Sequence, residues 1–343
     1  MLPARQTLRQ SWVAFTFLAA LGALAIAFAA SVGAVHVPLS GTLAAFAHGS
    51  RGEGDWMSLV VLRVRLPRAI VAYLVGGALA VSGGVLQGVF RNPLAEPGVL
   101  GVSNGAALGA VLAIFSGLAA RMPAALPLAA CAGAVVVTAM LLAIASRGTG
   151  GAGTLLLAGV GLANLAAAGT TLTISLALAN YDVGRQVLQW LLGGLEARTW
   201  AQVAMGTAPI LAALALVLSD ARKLDAMLLG DATAVAVGVA VVRVRRRLVV
   251  ATAVLTGIAV AIGGAIGFVG LVAPHVTRRL VGAGHARLLP ACFLGGGAFL
   301  VVADVVARTL MAPQELRLGV ITAVVGAPFF LVLLLRQRPA EVA

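Results

Sequence analysis

The sequence predicts an all-α protein that crosses a lipid bilayer about ten times, and three observations lead there. Of 343 residues, 61% are hydrophobic and only 10% charged, and the mean hydropathy is +1.06. An ordinary soluble domain carries about 25% charged residues, and a globule exposes too much surface to hide so apolar a composition. Second, residues 12–35, 69–90, 97–120, 122–146, 148–181, 199–219, 232–242, 248–277 and 318–335 contain no charged side chain. Third, these runs are continuous. Barrel strands alternate apolar and polar residues over about 10 positions, whereas a helix satisfies its own backbone in lipid and spans it in about 20 residues.

The elements follow in order. Arg5 and Arg9 precede the first run as in a secretory signal peptide, but 12–34 is longer than a signal core of about 7–15 residues and reads as a retained helix. The small residues around Ala29–Ala34 are the one feature suggesting cleavage. Further helices are expected near 66–90, 94–116, 124–146, 153–176, 199–219, 245–263, 265–282, 288–307 and 317–335. The stretch 245–282 is short for two spans, and Gly263, Gly264 and Gly267 supply its hinge. The pairs Gly84/Gly88, Gly105/Gly109 and Gly263/Gly267 make faces on which helix backbones approach closely. Packing within the chain is the expected use, a dimer face the alternative for one or two of them.

An even number of spans puts both termini on one side. With the N-terminus cytoplasmic, the inner segments hold 15 of the 24 Lys and Arg residues and the outer segments 9, the bias expected of cytoplasmic loops. That rule leaves unexplained the outer arginines gathered near one loop, among them Arg63, Arg65 and Arg68. A net charge of +13 does not mark a nucleic-acid partner here, because the arginines sit in short loops rather than along one amphipathic face. Cys131 and Cys292 lie in separate apolar runs and read as packing residues. No histidine pair has metal-ligand spacing.

Several motifs bear on chemistry. A phosphate-binding loop ends in Gly-Lys-Ser/Thr, and the sole lysine, Lys223, precedes Leu224. ATP energy must therefore come from another polypeptide. Gly101-Val102-Ser103-Asn104-Gly105 matches the G-x-S-x-G pattern of a hydrolase nucleophile, but that motif needs an α/β sheet; a break at the start of a membrane helix is the better reading. An intramembrane hydrolase using Ser103 remains a rival, and His275, the obvious base, reads as packing or capping. Residues 91–98, Arg-Asn-Pro-Leu-Ala-Glu-Pro-Gly, cannot continue a helix. They fit equally a pathway-lining re-entrant element, tolerated where buried in protein, and a cytoplasmic turn. Between Arg222 and Arg247, Leu224–Leu229 is expected to form a short helix ended by Gly230. Asp231 is expected to cap a second, 232–237, stopped by Gly238. Such surface helices suit docking to a cytosolic partner; contact with lipid headgroups is the alternative.

Taken together, Leu66-Pro67-Arg68, Arg91–Gly98, Leu100–Gly105, Leu229–Ala234, Gly267–His275, Gly319–Ala323 and Gly326-Ala327-Pro328 resemble the FecCD-type permeases of importers for iron–siderophore complexes, haem and vitamin B12. The resemblance implies a type II ABC importer permease fold, 1–343 as one transmembrane domain with coupling helices at about 222–244, in the bacterial inner membrane with both termini cytoplasmic. It implies a homodimer, two cytosolic ATP-binding subunits that hold ATP and Mg, and a periplasmic binding protein; this chain itself binds no cofactor. The residues matching the coupling segment are Leu224, Asp225, Leu228, Leu229, Gly230, Asp231, Thr233, Ala234 and Gly238. Those matching the arginines that meet the binding protein are Arg65, Arg68 and Arg308. Similarity is greatest to haem importers, with siderophore or vitamin B12 import as alternatives. Tyr181, Arg185, Asn92, Ser103 and Asn104 are candidate pathway residues, Arg185 as a partner for a haem propionate unless it pairs with Asp182. A secondary transporter without an ATPase would need ionisable residues at mid-membrane. Only Asp304 and Glu96 approach that depth, near predicted helix ends.

Overall fold

A computed structural model describes residues 4–33, 37–48, 55–122, 124–147 and 152–336. Ala34, Arg51 and Arg338, and His36, which the sequence places at the outer end of the first helix, lie outside them. Among the described residues there is no strand. The charge-free runs become helices: α1 (Ala4–Ser31), α2 (Leu39–His48), α3 (Trp56–Leu59), α4 (Leu66–Val89), α5 (Val102–Phe115), α6 (Leu118–Arg121), α7 (Ala125–Arg147), α8 (Ala152–Ala177), α9 (Tyr181–Leu191), α10 (Trp200–Ser219), α11 (Ala221–Leu228), α12 (Asp231–Ala236), α13 (Val241–Gly263), α14 (Val269–Val281), α15 (His285–Thr309) and α16 (Leu318–Arg336). Among the described residues, seven stretches are long and apolar enough to cross a membrane: Trp12–Ser31, Trp56–Val89, Ala125–Arg147, Gly153–Ala177, Trp200–Ser219, Val241–Gly263 and His285–Thr309. Val102–Phe115 and Leu318–Leu333 are shorter apolar helices beside them.

The centre is α4, buried along nearly its whole length. It packs against α15 so closely that a Cβ on Gly76 would stand 2.2 Å from the Gly296 carbonyl oxygen. Against α13 it is joined by Ser82 Oγ, which donates to the Thr252 carbonyl (3.4 Å) and accepts from Thr256 Oγ1 (3.2 Å). Two of the three expected glycine pairs are used within the chain; the third is no helix face, since Gly263 ends α13 and a Cβ on Gly267 would meet nothing within 4 Å. Gly105 and Gly109 of α5 meet α7, where a Cβ on Gly109 would lie 2.1 Å from the Ala129 carbonyl oxygen. Gly88 lies against His285 and Leu224.

Several boundaries differ from the sequence reading. Helix begins at Trp56 rather than 66, with the Asp55 carboxylate accepting from Ser58 N at 3.2 Å. The turn Val60–Arg65 widens to i→i+5 bonding, Leu66 N donating to the Val61 carbonyl. Pro67 follows immediately, and its ring would crowd the carbonyl four residues earlier, which a widened turn relieves. The span expected at 94–116 does not exist as one helix. Residues 90–101 are broken by Pro93 and Pro97, with Arg91 at φ 50° and a tight turn over Pro97–Leu100, and α5 starts only after Gly101 at φ 76°. The helices α2, α6 and α9 have no counterpart in the expected set.

Directions along the bundle define two ends. The start of α13 and of α15, the end of α4, and α11 with α12 lie at one end, here the basic end. The start of α4, the end of α15 and the end of α1 meet at the other, through Arg65, Arg68 and Arg308. The remaining ends of α1 and α16 therefore point toward the basic end.

Candidate functional site

Two polar assemblies mark the two ends. At the basic end, α11 is tucked beneath α4 and α15 with Leu224 and Met227 buried. The Asp225 carboxylate accepts from the His285 backbone N (3.0 Å) and pairs with His285 Nδ1 (2.6 Å). It thereby satisfies an amide that the first turn of α15 leaves without a helical partner. Gly230 then adopts φ +115°, a conformation open to glycine without a Cβ clash, and turns the chain into α12. Asp231 is not the expected cap: Gly230 occupies that position and Asp231 opens the helix. Its carboxylate instead bridges Arg91 and Arg245, the latter at 2.6 Å. The hydrogen bond from Arg245, helped by both positive charges, holds the Asp231 carboxyl below its ordinary range. Arg91 Nε also donates to the Met227 carbonyl at 2.8 Å. The pair α11–α12 is thus latched to the loop after α4 and to the start of α13.

The outer side of this bracket is apolar and uncovered. Leu228, Leu229, Val235 and Val237 are 40%, 75%, 61% and 66% exposed. Thr233 is exposed beside them, Ala234 is buried underneath, and Gly238 at φ +86° ends α12 as expected. All nine residues assigned to coupling from the sequence therefore fall in one structural unit. Arg91, Arg245 and His285, which fix that unit, were not among them; their partners lie far away in sequence.

At the opposite end the three arginines assigned to docking are turned inward. Arg65 Nη1 donates to the carbonyls of Ser31 (2.6 Å) and Ala30 (3.3 Å). Arg68 grips Asp304 through Nε and Nη2 (3.0 and 2.9 Å) and Glu315 through Nη1 (2.9 Å). Arg308 Nη2 donates to the Ala29 carbonyl at 2.5 Å, with Nε 3.8 Å from Asp304. Arg65 and Arg308 are each 4% exposed and Asp304 is 1%. These groups fasten α1, α4 and α15 together; among the described residues, the exposed arginines of this end are Arg63, Arg121 and Arg185.

The candidate pathway residues do not form one group. Ser103 and Asn104 share a cavity of about 240 Å³ with Glu96, Pro97, Phe268 and Gly270, where the breaks before α5 and α14 meet. Asn104 Nδ2 also donates to the Ala163 carbonyl on α8 at 3.1 Å. Asn92 lies at the basic end, where its Oδ1 accepts from Leu94 N at 2.9 Å and shapes the turn. Tyr181 and Arg185 stand exposed on α9, and Arg185 makes no ion pair with Asp182. Phe268 at φ 66° is a strained position for a side chain. It is pressed against Gly326 of α16, joining two of the sequence motifs.

A lipid-spanning helical bundle with a latched, apolar pair of surface helices at one end is the architecture of a transporter permease. Residues 20–336 match the FecCD transport family, and the chain belongs to it. It is 40% identical over 293 residues to the hemin transport system permease protein of Yersinia pestis, covering 83% of this chain and 85% of that one. To the vitamin B12 import system permease protein of Klebsiella pneumoniae it is 41% identical over 289 residues, covering 83% and 86%. A solved structure of a metal-chelate type ABC transporter in an inward-facing conformation superposes with a TM-score of 0.82 at 31% identity, covering 94% of this chain and 98% of that one. The protein is accordingly a multi-pass membrane permease of an ABC importer.

Proposed function

We propose that this permease imports haem across a bacterial inner membrane. In this reading it works as a homodimer of about ten-span subunits with both termini in the cytoplasm. Two cytosolic ATP-hydrolysing subunits drive it from the basic end, and a periplasmic binding protein delivers haem at the other. The chain itself hydrolyses nothing. Nucleotide closure of the ATPases moves α11–α12, and because Asp231 and Asp225 tie that pair to α4, α13 and α15, the movement is passed to the spans. The apolar face of Leu228, Leu229, Val235 and Val237 is what the ATPase would cover. A binding protein would meet the opposite end, where Arg65, Arg68 and Arg308 support the surface and the exposed Arg63 lies beside them; rim charges of this kind set docking rate and orientation more than affinity.

The observation that favours haem is Arg185, exposed on α9 beside Tyr181 and without an acidic partner among the described residues. It is available to a propionate carboxylate arriving from outside. Vitamin B12 is the second reading, supported by the equal similarity to a B12 permease. The test is ATP hydrolysis and uptake by the reconstituted complex with binding protein loaded with haem, cobalamin or a ferric siderophore. Haem is expected to stimulate both, and Arg185→Ala to lower haem uptake. Stimulation by cobalamin or siderophore with haem inert would overturn the assignment.

A further inference from the structure

The arginine cluster at the start of α13 divides by function. Arg245 pairs with Asp231, and Arg247 Nε lies 3.4 Å from Asp220. Arg243 and Arg246 are exposed and pair with no acid among the described residues. They border a cleft of about 490 Å³ with Val235, Val239 and Val242 at the basic end. At helical spacing the face that carries Arg243 and Arg246 continues through Val250, Val254 and Gly257. These last three line an apolar groove of about 270 Å³ between α13 and α7, with Cys131, Ala134, Thr138, Ala139 and Leu142 on the other wall.

A basic cleft and an apolar groove therefore lie about one helical turn apart along the same face of α13. From Arg246 to Gly257 is eleven residues, about 16 Å of helix, close to the roughly 15 Å of hydrocarbon in one leaflet. We propose that this groove binds one anionic phospholipid of the leaflet at the basic end. Its phosphate lies between Arg243 and Arg246, and an acyl chain lies against Val250, Val254 and Ala139. The headgroup would lie beside α12, so lipid charge acts next to the surface helices without passing through the spans.

Val254→Trp places a fluorophore in the groove. The full chain is reconstituted in equal mixtures of phosphatidylglycerol and phosphatidylcholine, with the acyl bromine on one lipid or the other, and wild-type tryptophan quenching is subtracted. Two surface arginines favour the anionic headgroup by about 30-fold, so brominated phosphatidylglycerol is expected to quench far more than brominated phosphatidylcholine. The double substitution Arg243→Gln and Arg246→Gln is expected to abolish the difference. Mass analysis of lipid retained by the purified wild-type chain gives the same comparison without the tryptophan: phosphatidylglycerol held by wild type and lost from the double variant. Equal quenching by both lipids, or a preference that survives loss of the arginines, overturns the proposal. Absence of quenching by either, with copies joined through Cys131 by a thiol cross-linker, overturns it in favour of a second copy covering this face.

Discussion

Neutralising Asp304 is the sharpest probe of how this bundle is held together. The residue is 1% exposed, and its carboxylate receives three hydrogen bonds from Arg68 and lies 3.8 Å from Arg308. Asp304→Asn keeps the shape but leaves two buried guanidinium groups with Glu315 as the remaining acid. Removing one partner of a buried ion pair costs about 3–5 kcal/mol. Because Glu315 still holds Arg68 Nη1 at 2.9 Å, the lower end applies, about 3 kcal/mol. At roughly 2–4 °C per kcal/mol for a chain of this order of size, the unfolding midpoint in detergent should fall by roughly 6–12 °C. With Cys131 replaced by Ala, Cys292, fully buried in α15, reports it: a thiol-reactive dye reaches it only when the bundle opens. The double variant Arg68→Met and Asp304→Leu removes both charges and should recover part of the loss, since a buried pair replaced by apolar groups is often neutral. A midpoint unchanged by Asp304→Asn, or a double variant worse than the sum of the singles, would refute the reasoning.

Other outcomes follow from the same contacts. Asp231→Asn should leave assembly largely intact but detach α12 from Arg91 and Arg245, lowering transport per ATP hydrolysed in proteoliposomes; unchanged coupling would contradict the latch. The Asp231 carboxyl is depressed in the folded protein, so its contribution is complete above the ordinary aspartate value of about 3.9 and is lost as pH falls through the lower folded value. Coupling should therefore not vary through this group between about pH 5 and 8, measurable as uptake-to-hydrolysis ratio. Gly109→Ala would set a methyl against the Ala129 carbonyl oxygen and cost about 1–3 kcal/mol by overpacking, read as a lowered unfolding midpoint.

The sequence exposes most of the spans because continuous apolar runs have few alternatives in lipid, and it exposes α11 and α12 because Gly230 and Gly238 punctuate a polar-flanked stretch. It is less informative where apolar composition and helix geometry part company. Residues 94–101 are apolar enough to be counted into a span, yet Pro93 and Pro97 delay α5 to Val102. The helix α9 was missed because Asp182, Arg185, Gln186 and Gln189 make one face polar, while Gly184 and Val187 bury the other. The arginines show the deeper limit. Arg68 finds Asp304 across 236 positions and Arg308 finds the Ala29 carbonyl across 279, so a group that looks like a free outer charge is an internal fastener. Asp304 and Arg308, four apart on one helix, were the local signal of that role.

The proposed dependence of this chain on a separate ATPase docked at α11–α12 is tested most directly by uptake into proteoliposomes, with Leu229→Glu as the comparison, since Leu229 is 75% exposed at the centre of the apolar face. Wild-type permease with its ATPase and loaded binding protein should accumulate ligand against a gradient only when ATP is present on the α11–α12 side. Leu229→Glu should fold normally yet neither retain the ATPase on gel filtration nor accumulate ligand. Uphill accumulation by the permease alone, or full activity of Leu229→Glu, would contradict the account.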